Sequence, residues 1–380
     1  MALPDLVVLS HLRWGFVFQR PQHLMSRFAR ERRVFFFEEP VFDDGPARLD
    51  VAESQGVFVA TPHLRRGSSA SRVLETQRAL LDDLVETRRI EAPVLWFYTP
   101  MALPFAGHLH ARAVIYDCMD ELSAFLGAPP ELLELERKLL SRADLVFTGG
   151  QSLYESKRPL HPAVHAFPSS VDAAHFVQAR EGLRDPYDQR ALPHPRIGFY
   201  GVIDERLDVE LVEHVAASRP EWQLVLVGPI AKIDRKKLPR RANIHWIGQR
   251  RYEELPAYLA GWNVAMMPFA LNEATRFISP TKTLEFLAAG KPVVSTAIRD
   301  VVRPYGEKEI VRIAGTHAEF VSAIEAALEE PPEARRARAD ALVAQTSWER
   351  TQSRMAALIV GHGQGRAQAA SAQEDSCTTI

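Results

Sequence analysis

The sequence predicts an α/β protein built from two facing, doubly wound domains, and three observations carry that prediction. Short apolar runs of strand length alternate with amphipathic helical stretches from Leu6 onward. The alternation lapses over residues 171–195, where the charged, proline-bearing DPYDQRALPHP reads as a linker, and it restarts at Arg196. At 380 residues the chain is long enough for two complete cores. The expected division is a first Rossmann-like domain over 1–190 and a second over 191–345. A closing helical segment follows at 346–361, and a small, polar tail at 362–380 is expected to be disordered.

Each element has a local reason. Residues 6–10 and 34–37 are apolar runs too short for helices and suited to strands buried on both faces. Between them, HLRWGFVFQRPQ is a loop leading into a helix over 21–30. That loop lacks GxGxxG, so the dinucleotide fingerprint is absent. Strands follow at 57–60, 94–98, 114–117, 145–148 and 165–168, with helices at 71–89 and 131–142. After the linker, strands are expected at 196–200, 223–227, 244–247 and 264–267, with helices at 209–217 and 253–260. Helices at 317–329, 333–345 and 348–360 close the chain, the last anchored by Met355, Leu358 and Ile359.

Composition excludes several classes. A formal charge of −2 argues against general nucleic-acid binding. Two cysteines, Cys118 and Cys377, cannot build a disulfide framework, which points to a reducing, cytoplasmic setting. The opening MALPDLVVLS has no basic region ahead of its apolar run and reads as a first strand. No apolar stretch reaches the length of a membrane span, so any membrane association is expected to be peripheral. His108 and His110 lack further ligands in register, so no metal site is expected there.

The chemistry concentrates in PFALNEATRFISPTKTLEFLAAGKPVVST, residues 268–296. Ser279 suits an N-cap and Pro280 the first helical position; Gly290 and Pro292 end the helix before a buried strand at Val293. A helix start offers unpaired amides and partial positive charge. Lys282 adds a full charge in the first turn, where a cation is misplaced unless an anion compensates it. Glu285 stands one turn on, within reach of hydroxyls beside a bound phosphate. A nucleoside diphosphate fits this arrangement, and so does a capped surface helix with a chance Lys–Glu pair.

Read with its neighbours, this stretch resembles the retaining GT-B glycosyltransferases of the glycosyl transferases group 1 type. The resemblance rests on LEFLAAGKPVVST, SSVDAAHF, GFYGVIDERLD and IHWIGQRRYEELPAYLAGWNVAMMPF. HLRWGFVFQRPQHL is similar to a bacterial subgroup associated with surface polysaccharides, including teichuronic-acid-type enzymes. It implies a GT-B fold whose last helix, TSWERTQSRMAALI, crosses back to the first domain. It places Glu285 on the nucleotide ribose, the amides of Ser279, Pro280 and Thr281 on the diphosphate, and Gly248, Gln249 and Arg250 at the base. Two positions depart from the pattern. The carboxylate expected for the donor sugar is replaced by Phe277, with Glu273 or Asn272 as substitutes, and Arg206 with Lys282 would supply the phosphate charges.

The implied reaction is hexosyl transfer from a nucleoside-diphosphate sugar to a carbohydrate or lipid-linked hydroxyl acceptor, with retention, no metal and no further cofactor. His23 and Asp120 are the first-domain candidates for orienting substrate, each with a structural alternative as a hydrogen-bonded histidine or a loop-capping Asp. Trp14, Phe16 and Phe18 fit stacking on sugars, or a buried face, which packing favours. The basic run from Lys232 to Arg251 reads as a solvated surface or as a contact for anionic lipid or acidic polysaccharide. A nucleotide-sugar epimerase and a non-catalytic binding partner on the same fold remain alternatives.

Overall fold

Four fully buried residues, Leu6–Leu9, form β1 at the middle of the first sheet, where only a strand apolar on both faces is stable. The computed structural model describes residues 3–377. Around β1 lie β2 (Val34–Phe37), β3 (Val41–Asp43), β4 (Arg48–Ser54) and β5 (Val57–Arg65), then β6 (Val94–Phe97), β7 (Ala113–Cys118), β8 (Leu145–Thr148) and β9 (Val164–Ala166). The order is β3-β5-β2-β1-β6-β7-β8-β9, with β4 paired to β5. Every pairing is parallel except β4 with β5.

β3 and β4 are absent from the sequence prediction. RLDVAES in β4 is half-exposed, with no buried residue, and shows no apolar run. It is held by a two-residue hairpin in which Gln55 and Gly56 both take positive φ, 53° and 78°, the geometry whose twist matches paired strands.

The second sheet contains β10 (Arg196–Tyr200), β11 (Gln223–Val227), β12 (Ile244–Gly248), β13 (Val264–Met267), β14 (Val293–Thr296) and β15 (Arg312–Ala314). Its order, β12-β11-β10-β13-β14-β15, reverses direction at β10 and so creates a crevice at the carboxyl ends of β10 and β13. The chain enters this domain earlier than the expected boundary at 190. Val171, Phe176 and Ala179 are buried in the second core, and Arg180 bonds the carbonyl of Leu287, so apolar anchors outweigh the loop-like composition of 171–190.

The helix Trp348–Cys377 returns to the first domain as expected. Trp348, Met355 and Ile359 are buried in that domain's core, and Arg27 pairs with Glu349 at 2.7 Å. The expectation of a disordered tail from 362 is corrected, because this helix continues to Cys377. RAQAASAQE is rich in strong helix formers, and that propensity outweighs its low hydrophobicity. The last residues of the expected tail, 378–380, lie outside the described residues.

Candidate active site

The carboxyl ends of both sheets meet in a cleft of about 760 Å³. From the second domain it is lined by Tyr200 and Gly201 after β10, residues 227–229 after β11, and residues 249–255 after β12. From the first domain come residues 14–18, the loop after β1. Gln249 Nε2 donates to the carbonyl of Phe16, and Phe18 stacks on Tyr252 with ring centres 4.4 Å apart, so the two walls touch. The expected burial holds for Trp14, which sits in the first-domain core edge-on to Phe36, and is corrected for Phe16 and Phe18. Phe16 is 40 % exposed and all three line the cleft, because the segment is a loop and not a strand.

The helix Thr281–Ala288 begins beside this cleft with Pro280 as its N-cap residue and no capping side chain. Ser279 is therefore not the cap; its carbonyl accepts a 2.7 Å hydrogen bond from the first-domain Ser169 hydroxyl. Pro280 cannot donate an amide at all, so the unpaired donors of the first turn are those of Thr281 and Lys282. Gly290 ends the helix at φ 72°, as expected for a residue just past a C-terminus.

Glu285 is 93 % shielded and accepts a 2.5 Å hydrogen bond from the Tyr200 hydroxyl. Burial raises its carboxyl above the usual range, and the Lys282 charge with the Tyr200 bond pulls it back. Lys282 lies along Gly201, where a Cβ would stand 2.4 Å from the lysine Cε. At φ 150° that position is open only to glycine on both grounds, so Gly201 makes the lysine's path. Burial lowers the ammonium pKa while Glu285 opposes the shift.

Arg206 is oriented by its neighbour Asp204, with Nε 3.0 Å from Oδ1 and Nη2 2.6 Å from Oδ2. Its guanidinium carbon lies 5.3 Å from the centre of the Phe125 ring in the first domain. Asp120 joins the same group. Its carboxyl is raised by burial, and the charges of Arg206 and Lys282 act against the rise. Arg206, Asp120 and Glu285 all act electrostatically on Lys282, so the four form one charged group at the domain boundary.

Other expected residues fall elsewhere. Glu273 is overturned as a substitute for the missing donor-sugar carboxylate: its side chain is 77 % exposed and pairs with Arg276 one turn away. Asn272 caps that short turn and donates to the Glu205 carbonyl. Phe277 packs against the first-domain core. Arg250 lines the cleft, and its guanidinium is held by Asp188 and the Tyr258 hydroxyl. Gly248, at φ 83°, turns the chain into that wall.

His23 is 2 % exposed and stacks on Trp348 at 4.7 Å, edge-on to Phe18 and Tyr252. Burial drives its pKa well below the ordinary value, so it is a neutral ring in an aromatic box behind the cleft wall. Asp117, which is fully buried, is paired with Arg20 at 2.9 Å. The sequence reading missed Tyr200, Asp204 and His11, and took Lys232 only as the start of a basic run. Tyr200 and His11 could have been found as polar residues at the carboxyl ends of the central strands, where sheet topology gathers ligands. Among the described residues no group of His, Cys, Asp and Glu could hold a metal ion, and no helix is long and apolar enough to cross a membrane.

Two Rossmann-like domains, a cleft at their carboxyl ends and a returning terminal helix define the GT-B class of glycosyltransferases. Residues 194–330 match the family model described as glycosyl transferases group 1, and the chain is a glycosyltransferase that carries this domain. A Bacillus subtilis protein provisionally named as a teichuronic acid biosynthesis glycosyltransferase, TuaH, is 28 % identical over 279 residues, covering 66 % of this chain and 67 % of its own. Among solved structures, sucrose-phosphate synthase from Thermosynechococcus elongatus superposes with a TM-score of 0.68 at 17 % identity, over 94 % of this chain and 98 % of that one. A UDP-forming α,α-trehalose-phosphate synthase from Burkholderia xenovorans gives 0.70 at 12 % identity, over 94 % and 99 %. At such identities these two likenesses speak for the fold.

Proposed function

We propose that this glycosyltransferase moves a hexosyl group from a nucleoside-diphosphate sugar to a hydroxyl acceptor, in the synthesis of a cell-surface polysaccharide or glycoconjugate, with retention of configuration. One observation carries the reading. The helix Thr281–Ala288 starts with no capping side chain, Arg206 and Lys282 lie within electrostatic reach of each other, and the Tyr200-locked carboxylate of Glu285 lies one turn on. That is a diphosphate cradle with a ribose acceptor beside it, and the walls at 227–229 and 249–251 leave room for a base.

As the glycosidic bond breaks, charge accumulates on the leaving diphosphate. Lys282, Arg206 and the helix amides stabilise that charge more in the transition state than in the ground state. With cations already at the cradle, the reading needs neither a metal nor a further cofactor. Asp120 lies within electrostatic reach of Arg206 and Lys282 from the first domain and suits orientation of the acceptor hydroxyl. The surface-polysaccharide role is supported by the relative named for teichuronic acid synthesis, and with it a place at the inner face of the membrane, held peripherally.

Phe277 favours a second reading, a protein that binds nucleotide sugar without turning it over, since no carboxylate stands where the donor sugar's usual contact is expected. A thermal-shift panel of UDP, GDP, ADP and TDP with their sugar conjugates tests the proposal. A ligand at about a hundredfold its Kd adds about 2.7 kcal/mol, so one nucleotide series should stand clear of the others. No shift with any of them would end the proposal; a shift without transfer or donor hydrolysis would leave the second reading. Product analysis separates transfer from epimerisation.

A further inference from the structure

Lys232 follows β11 in the second domain and adopts φ 56°, a left-handed conformation unfavourable for a residue with a Cβ. The conformation carries its ammonium across the domain boundary to 5.6 Å from the centre of the Phe125 ring. Among the described residues it has no carboxylate partner, unlike Arg206 on the same ring, which is paired with Asp204. Beside it stands His11, directly after β1 and Ser10 in the first domain, with a buried Nδ1 that has no hydrogen-bond partner. Burial first, and then the Lys232 charge, push that imidazole down to about 4, against a hydrogen bond to the Tyr98 backbone that raises it. An exposed lysine with no carboxylate partner among the described residues and a buried, unpartnered ring nitrogen therefore lie within electrostatic reach of each other.

The surrounding charge has the same sign. Arg235, Lys236, Lys237 and Arg240 continue from Lys232 as exposed residues without carboxylate partners among those described. The nearby Asp234 is engaged with the Lys236 amide at 2.9 Å. On a chain of net charge −2, such a run sets up a local field that draws anions toward the cleft. The donor diphosphate does not account for it, because Lys282 and Arg206 already serve the helix start. Lys232 points instead at the first domain, where the acceptor is expected.

We propose that Lys232 and His11 form an acceptor-side anion subsite, so that the sugar acceptor of this enzyme carries an oxyanion group, a phosphate or a carboxylate. This rests on the donor reading above, since it assigns the other half of the same cleft. An arriving oxyanion would accept from the Lys232 ammonium and favour uptake of a solvent proton by His11, making both groups charge-assisted donors.

Titration calorimetry on the full chain tests this, with the protein loaded by whichever nucleoside diphosphate the thermal panel selects. The probes are inorganic phosphate, glucose 6-phosphate, glucuronate and uncharged glucose. At least one anionic probe should bind at least tenfold more tightly than glucose. The phosphate and carboxylate arms then tell which oxyanion the acceptor bears. Lys232→Met should weaken that binding tenfold or more, and Lys232→Arg should retain most of it. Nucleotide affinity measured on the same samples reports the donor site and the fold separately. Equal binding of glucose and the anions, or an unchanged anion affinity in Lys232→Met that still binds nucleotide, would overturn the subsite while leaving the donor reading intact.

Discussion

The Tyr200 hydroxyl, at the end of β10, donates to Glu285 Oε2 across 2.5 Å, tying the central strand of the second sheet to the helix Thr281–Ala288. Both groups are buried, and the bond fixes which carboxylate oxygen is engaged and which is left for a ligand. Removing the carboxylate by Glu285→Ala should cost a charge-assisted hydrogen bond to the ribose, about 1.5–3 kcal/mol. Nucleoside-diphosphate affinity should then fall about tenfold to a hundredfold. Tyr200→Phe keeps the carboxylate but frees its orientation, so it should give a smaller loss in the same direction. Calorimetry with the preferred nucleotide measures both, and an unaltered affinity in Glu285→Ala would remove the ribose assignment.

Lys282 should act on a different quantity. Its ammonium stands where the leaving diphosphate gains charge, so Lys282→Ala should lower kcat more than tenfold with a modest change in nucleotide affinity. The deleted side chain also empties the space beside Gly201 without disturbing the helix, because Lys282 makes none of that helix's apolar contacts. Steady-state kinetics with circular dichroism as the folding control decide it. A mutant of unchanged kcat would take Lys282 out of the chemistry.

How far these features could be read in advance follows their physics. The strands β1, β2, β7, β10 and β13 are buried on both faces and announce themselves as apolar runs, whereas the half-exposed β4 shows only its hairpin. Glu285 and Lys282 were legible because a helix start, a cation and a carboxylate fall within five residues of sequence. Tyr200, His11 and Lys232 were not, since each matters through a partner 85 to 221 positions away. Glu273 misled for the opposite reason. It is close in sequence to the site, yet the short turn Glu273–Thr275 points it at solvent.

Approach of the two domains depends on a residue with no side chain. Gly150 precedes the helix Gln151–Lys157, whose Ser152 amide donates to the second-domain carboxylate Asp300 at 3.0 Å. A Cβ on Gly150 would stand 2.3 Å from Asp300 Oδ2 and 2.9 Å from Ser279 Cβ, too close for either to remain. Gly150→Ala should therefore hold the domains apart while each core stays folded. Displacement by about 1 Å can cost a hundredfold in rate, so kcat/KM should fall on the order of tenfold to a hundredfold. Small-angle scattering should report a larger radius of gyration, and a variant with wild-type scattering and rate would show that the contact is not needed for closure.

Acid sensitivity provides the last test, and its sign follows from two histidines. Burial lowers His23 well below 6.5 and takes His11 to about 4. Below pH 6.5 the unfolded chain therefore binds protons that the folded chain refuses, so stability should fall as pH drops from 6.5 toward 4. Each histidine contributes at most about 1.4 kcal/mol per pH unit in that window. Glu285 and Asp120 work the other way near its acid end, because burial raises their carboxyls and lets the fold bind protons first. The two effects separate by mutation. His23→Phe keeps an aromatic ring against Trp348 while removing the titration, so its denaturation midpoint should change less between about pH 7 and about pH 5 than the wild-type midpoint does. If the two proteins lose stability in parallel over that interval, His23 is not held neutral by the fold, and the aromatic box does not govern its charge.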